Sequence, residues 1–347
     1  MKNVEKRLRI SDTLKEKVRK KVDEGKNQSI FVGIVDENAT DCFCYGKTSK
    51  DGNFIDENTV FEIGSISKIF TCLILADKVV SGQIGLDDPV EKFLPKNLKV
   101  PSKNGKKITL LDLATHTSGL PWMHSLLPDS SPDKKYEFTV DGMYDFLSEY
   151  DLTREIGSQY EYSNTGASLL AHALSLQGGK TYEQTLWDTV LDELGMGSTC
   201  ANLCDDLLDR FAKPHDKGKI VDQLYLPDGM AGAGGIKSSG KDMLVFLSYA
   251  MGLKDSKLRP AFELSQTINH KINESMSIGL GWHVITQDDR NIVWHNGGTD
   301  GFVSFAGCDL DSQRGMVVMS NTLEPIDRIG LEFFDLNVDE LTNSQKN

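Results

Sequence analysis

Apolar and polar positions recur along this chain with two different periods. Leu14, Val18 and Val22 repeat every fourth residue ahead of Gly25, and Thr13 and Glu16 have capping-box spacing. Residues 12–24 therefore read as an amphipathic helix whose Lys- and Arg-rich face is a solvated surface rather than a membrane-binding one. Residues 29–35 and 41–46 are strand-like and are joined by the polar run 36–40, which predicts an antiparallel hairpin. A third short strand over 59–63 leads through Gly64 into Ile69-Phe70-Thr71-Cys72-Leu73-Ile74-Leu75-Ala76. That run has no polar stripe, so its helix is expected to be buried on nearly every side.

From Leu86 the texture turns helical. Helix starts are expected near residues 87–90 and 109–116, and helices over 140–150, 165–176 and 181–194. The polar stretch 122–138 reads as a long loop, of the kind that serves as a lid or binding wall. Strand signals return only after about residue 270, at 279–285, 292–295, 302–308 and 315–321, and a last helix is expected over 326–341. This order predicts an α+β fold: an antiparallel sheet flanked by helices, formed by residues 1–85 and 271–347, with a mainly helical domain, 86–270, inserted into it. The active site is expected at the interface of the two.

Composition narrows the functional classes. With 38 basic against 51 acidic residues the net charge is -13, which disfavours nucleic-acid binding and mildly repels anionic substrates. The six cysteines, at 42, 44, 72, 200, 204 and 308, lack zinc-type spacing and read as free thiols in a reducing compartment. No metal or cofactor is implied. The first ten residues carry charges throughout and no apolar run approaches ~20 residues, so neither a signal peptide nor a membrane span is expected and the cytoplasm is the expected location.

One stretch carries chemistry. Ser65 and Lys68 stand one helical turn apart, so the amine can reach the hydroxyl, and burial of the helix would lower the lysine pKa and let it act as a base. Ser-x-x-Lys recurs at Ser131/Lys134 and Ser238/Lys241, but only Ser65 opens a long apolar helix behind a strand and a glycine. The run Gly235-Ile236-Lys237-Ser238-Ser239-Gly240-Lys241-Asp242 nearly spells a phosphate-binding loop, yet it ends in Asp and has no hydrophobic strand before it. It reads instead as the approach to a helix capped by Ser238 or Ser239, following a flexible cleft wall at 231–235. The Gly-x-Ser-x-Gly elbow of α/β-hydrolases is absent, and His116 in His-Thr-Ser-Gly-Leu reads as structural.

Two further stretches complete an ordered set: Tyr162-Ser163-Asn164, and Trp294-His295-Asn296-Gly297-Gly298-Thr299 at the end of an expected strand. Ser-x-x-Lys, then Tyr-x-Asn, then a basic residue-x-Gly resembles the serine β-lactamase and penicillin-binding protein superfamily, in its class C-like branch with the related serine esterases and D-aminopeptidases. Leu113-Ala114-Thr115-His116-Thr117-Ser118-Gly119-Leu120 and Gly279-Leu280-Gly281-Trp282 support the likeness, which covers roughly residues 25–335. The resemblance implies that Ser65 is the acylated nucleophile, Lys68 its base or proton relay and Tyr162 the second proton-transfer group. It also implies that Asn164 orients Lys68 and substrate, and that His295, Gly297 and Gly298 face the substrate, with the N-H groups of Ser65 and Gly298 as oxyanion hole.

His295 departs from the pattern, since dedicated β-lactamases and penicillin-binding proteins carry Lys there. Histidine is mostly neutral above ~6.5, which turns the expectation from penicillins toward esters, amides or D-amino-acid peptides. The expected activity is thus that of an acyl-enzyme serine hydrolase on a small-molecule or short-peptide substrate. The alternatives are a dedicated class C-like β-lactamase or D-Ala-D-Ala carboxypeptidase, and a non-catalytic binding or assembly module.

Overall fold

The computed structural model of the chain describes residues 8–124, 139–223 and 226–336. The expected loop at 122–138 therefore lies largely outside the described residues. Helix α1 (Asp12–Asp23) is capped not by Thr13 but by Ser11, whose Oγ accepts from the Leu14 N-H at 3.2 Å. A serine in extended conformation at that position satisfies a first-turn amide, and the capping-box spacing from Thr13 was coincidental.

Strands β1 (Ser29–Val35) and β2 (Thr40–Gly46) form the expected hairpin. The short strand β3 (Val60–Glu62) does not join them. It pairs antiparallel with β4 (Lys237–Ser239), Val60 opposite Ser239 and Glu62 opposite Lys237. Late in the chain come β5 (His270–Lys271), β6 (Met276–Ile278), β7 (His283–Gln287), β8 (Arg290–Gly298), β9 (Val303–Asp309) and β10 (Arg314–Ser320). The eight-stranded sheet runs β2-β1-β10-β9-β8-β7-β6-β5, with antiparallel neighbours throughout. Gly279 to Trp282, expected as strand, instead form the turn between β6 and β7. There Gly281 adopts φ +74° and donates its N-H to Ala114 O at 3.0 Å.

Every residue of β1 is buried because the sheet is covered on both faces. Ile30, Val32 and Ile34 join Val18 of α1, Trp294, Phe305 and Ile329 on one side. Phe31 and Val35 face the larger core with Phe70, Leu247 and Met319. The helices that matter for the site are α2 (Ser67–Val80), α3 (Asn164–Gly178), α4 (Gly240–Ala250) and α5 (Asp327–Phe333). As its sequence demands, α2 is buried almost all round, and α4 packs on β1 and β10. Ser239 caps α4, its Oγ accepting from the Asp242 N-H at 3.2 Å. The expected helix at 181–194 is broken by a π-helical stretch at Trp187–Leu191. The last helix ends earlier than its periodicity suggests, and residues 337–341 of that expectation lie outside the described residues.

Candidate active site

Ser65 sits not in the α-helix itself but in a 3-10 turn, Gly64–Ile66, between β3 and α2. The turn is forced by crowding. Gly64 has φ +52°, and a Cβ there would lie 2.6 Å from the backbone N of Gly298. From the other side, a Cβ on Gly297 would lie 2.0 Å from the carbonyl oxygen of Ile63. Ser304 Oγ clamps the same carbonyl with a 2.8 Å hydrogen bond. Bare backbone at 64 and 297 thus lets the rim of β8 press against the chain that carries the serine. At Gly298 a Cβ would meet nothing nearer than Phe302 O at 4.0 Å, so that position is open on the protein side.

Lys68, in the first turn of α2, is 1% exposed. Its Nζ lies 3.0 Å from Ser65 Oγ, 2.7 Å from Asn164 Oδ1 and 2.5 Å from the carbonyl oxygen of Ala233. The two carbonyl-type oxygens can only accept, so they fix two N-H bonds of the amine. The remaining direction faces the serine: in the ammonium it carries a third hydrogen, and in the neutral amine it carries the lone pair. Burial draws the Lys68 pKa down to about 7, so both forms are accessible near neutrality.

Tyr162 and Asn164 reach the site from the start of α3. The residue between them, Ser163, is the cap: its Oγ accepts from the Gly166 N-H at 2.8 Å and donates to Pro121 O at 2.7 Å. The Ser163 N-H donates to His116 Nδ1 at 3.1 Å, and Asn164 N-H donates to Trp122 O at 2.8 Å. His116 is buried, its pKa lies well below 6.5 through desolvation, and its ring packs 4.5 Å from that of Tyr162. The lysine Nζ stands 4.8 Å from the Tyr162 ring centroid. Burial pushes the phenol pKa up, while a hydrogen bond with Ser65 opposes that shift, so the hydroxyl keeps its proton across the physiological range.

The cleft in front of Ser65 has a volume of about 790 Å³, and its lining includes Tyr162, Gly297 and Gly298 but not His295. The His295 ring is turned into the protein at 1% exposure, with Nδ1 2.5 Å from the Asn296 carbonyl oxygen and Nε2 unpartnered among the described residues. Desolvation, with His283 and Lys68 nearby, holds its pKa well below 6.5, so it is a neutral ring behind Tyr162.

A scan of the whole sequence against protein-family models matches the beta-lactamase model over residues 14–336. The chain belongs to the β-lactamase family. Among curated β-lactamase-family relatives, the D-alanyl-D-alanine-carboxypeptidase/endopeptidase AmpH of Escherichia coli K12 is 27% identical over 310 residues, 85% of this chain and 79% of that protein. A beta-lactamase of Pseudomonas fluorescens is 29% identical over 264 residues, 74% of this chain and 69% of that protein. The fold is likewise that of solved class C β-lactamases. The one from Rhodobacter sphaeroides superposes with a TM-score of 0.82 at 24% identity, covering 95% of this chain and all of that one. A β-lactamase/D-alanine carboxypeptidase from Pseudomonas syringae gives 0.78 at 22% identity, over 90% and 94% of the two chains. As a β-lactamase-family protein the chain is a serine hydrolase.

Four contributors to the site escape a reading of the sequence. Tyr160 lines the cleft two residues before Tyr162, on the same extended segment, and its hydroxyl is 3.0 Å from His283 Nε2. His283, on β7, also lines the cleft, and burial lowers its pKa to about 4. Its ring lies 4.9 Å from that of His295. Ala233 contributes only a carbonyl, from the segment expected as a flexible wall. Asp327 stands at the start of α5 with no motif around it. The alternation of Tyr160 with Tyr162 is the one signal that could have been used.

Proposed function

We propose that this chain hydrolyses esters, amides or short D-amino-acid peptides through a covalent Ser65 acyl-enzyme. The observation that carries the reading is the buried Lys68 amine, held by Asn164 and Ala233 with its remaining direction on the Ser65 hydroxyl. In acylation, neutral Lys68 takes the Ser65 proton as the Oγ–C bond forms, and the carbonyl oxygen becomes an oxyanion between the N-H groups of Ser65 and Gly298. The protonated Tyr162 supplies a proton to the leaving oxygen or nitrogen as its bond to carbon breaks, and recovers one from Lys68. This assigns the base role to the lysine rather than to a phenolate, because burial disfavours the phenolate and favours the free amine. Water then attacks the acyl carbon, its proton passes to the same pair, and Ser65 Oγ regains its hydrogen as the acid departs.

The preference for neutral or amine-bearing acyl donors over penicillins rests on His295. A buried neutral imidazole off the cleft cannot serve as the fixed cation that a substrate carboxylate needs, and His295 acts here as packing behind Tyr162. The names of the relatives favour a second reading, a β-lactamase or D-Ala-D-Ala carboxypeptidase. A reducing, cytoplasmic setting suits six cysteines that form no bridge. No helix among the described residues is long and apolar enough to cross a membrane.

Labelling with a fluorophosphonate should modify the wild type and spare Ser65→Ala. Absence of a Ser65-dependent label would instead favour a non-catalytic module. In a panel of nitrophenyl esters, D-amino-acid amides and a chromogenic cephalosporin, faster cephalosporin turnover would establish the second reading.

A further inference from the structure

The charge along the cleft is of one sign. Among its described lining residues there is no lysine or arginine, and the charged side chains are Glu161 and Asp327. Glu161 is already compensated by an ion pair with Arg154. Asp327 is not: it lines the same cleft as Ser65 and Asn296, and among the described residues no lysine or arginine pairs with it. Asn296, Gly297 and Gly298 of the β8 rim line that cleft too, so the carboxylate faces the same space as the backbone proposed to receive the acyl oxygen. Burial raises the Asp327 pKa above the usual carboxylate range, and no positive neighbour among the described residues opposes that shift. An ammonium would supply that neighbour, whereas a second carboxylate would be repelled. The excess of 51 acidic over 38 basic residues adds a field of the same sign over the whole molecule.

We propose that Asp327, in the wall of the cleft, anchors a protonated amine of the substrate, so that the cleft selects aminoacyl esters and amides with a free amino group and discriminates against carboxylate-bearing acyl donors. The inference rests on the acyl-enzyme reading and names its substrate class. Asp327 is a specificity-determining residue in it and takes no part in proton transfer.

The test measures how well three series protect Ser65 from a fluorophosphonate and how fast they turn over: alanine p-nitroanilides with a free amine, with an N-acetyl group, and with an N-succinyl group, in both D and L forms. The free amine should exceed the acetylated compound roughly 10- to 100-fold in kcat/KM or in protection, and the succinylated one should be poorest. Asp327→Asn should bring the amine-to-acetyl ratio close to one, and Asp327→Lys should move the preference toward the succinylated series. Fluorophosphonate labelling of each variant establishes that its site is folded, and the wild-type ratio is informative without any variant. A labelled wild type that treats the free-amine and acetylated compounds alike overturns the proposal and leaves the acyl-enzyme reading standing. So does an amine preference that survives in labelled Asp327→Asn. Loss of Ser65-dependent labelling in the wild type removes both.

Discussion

Lys68 is a cation placed where a cation is costly, and its chemistry follows from that placement. Below about pH 7 it holds a proton and points a hydrogen at Ser65; above it the lone pair faces the hydroxyl. In the proposed mechanism the reactive form is the deprotonated one, so kcat/KM for a neutral ester should rise with pH through about 7 and then level off. A pH profile flat from 6 to 8 would contradict Lys68 as base. Lys68→Ala and Tyr162→Phe should each slow acylation by ~10²-fold or more, read as the rate of fluorophosphonate labelling. At this scale the sequence was most informative where function rests on side chains at short spacing. Ser65 and Lys68 are related by one helical turn, and their 3.0 Å contact is what that turn permits. It was blind to Ala233, because a carbonyl oxygen belongs to every residue, and to Asp327, whose meaning comes only from its neighbours across the cleft. His295 was visible as a residue but not in its orientation, since the alternation of a strand buried on both faces does not say which side chain meets the cleft.

At the scale of elements, the active turn is held by segments distant in sequence. Ser67 Oγ accepts the Ile236 N-H at 3.0 Å, and Thr71 Oγ1 donates to the Gly232 carbonyl at 2.8 Å, so the first turns of α2 carry the backbone that presents Ala233 to Lys68. Ser67→Ala leaves a buried N-H unpaired and should lower stability by about 1–3 kcal/mol in urea unfolding, with a fall in kcat as Ala233 loses its register. Unchanged stability and kcat would show that the segment is held by packing alone. The sequence foresaw the hairpin, α2 and the late strands, because their periods are long and regular. It missed the pairing of β3 with β4, since a strand of three residues contains no information about its partner. The turn at 279–282 was mistaken for strand because Leu280 and Trp282 alternate with glycines, while Gly281 in the left-handed region ends the extension.

For the molecule as a whole, one continuous apolar cluster runs from Phe31 and Met319 of the sheet through α2 to Leu169, Leu186 and Val190 of the helical part. Such a shared core predicts a single unfolding transition, with far-UV circular dichroism and tryptophan fluorescence giving the same urea midpoint. Two separated midpoints would mean that sheet and helical part are held independently. Six of the eight strands were foreseen, β5 and β6 were too short to show, and their order was not legible, because it is the pairing of β1 with β10 that brings segments nearly three hundred residues apart together.

That pairing sets a timetable for synthesis. While the ribosome is still working, β1 leaves the exit tunnel as a largely apolar strand whose β10 edge stays bare until residues 314–320 have been made. The nascent polypeptide must be sheltered over that interval, and a message cut short before β10 yields no partly working enzyme, only a chain with an open, adhesive edge.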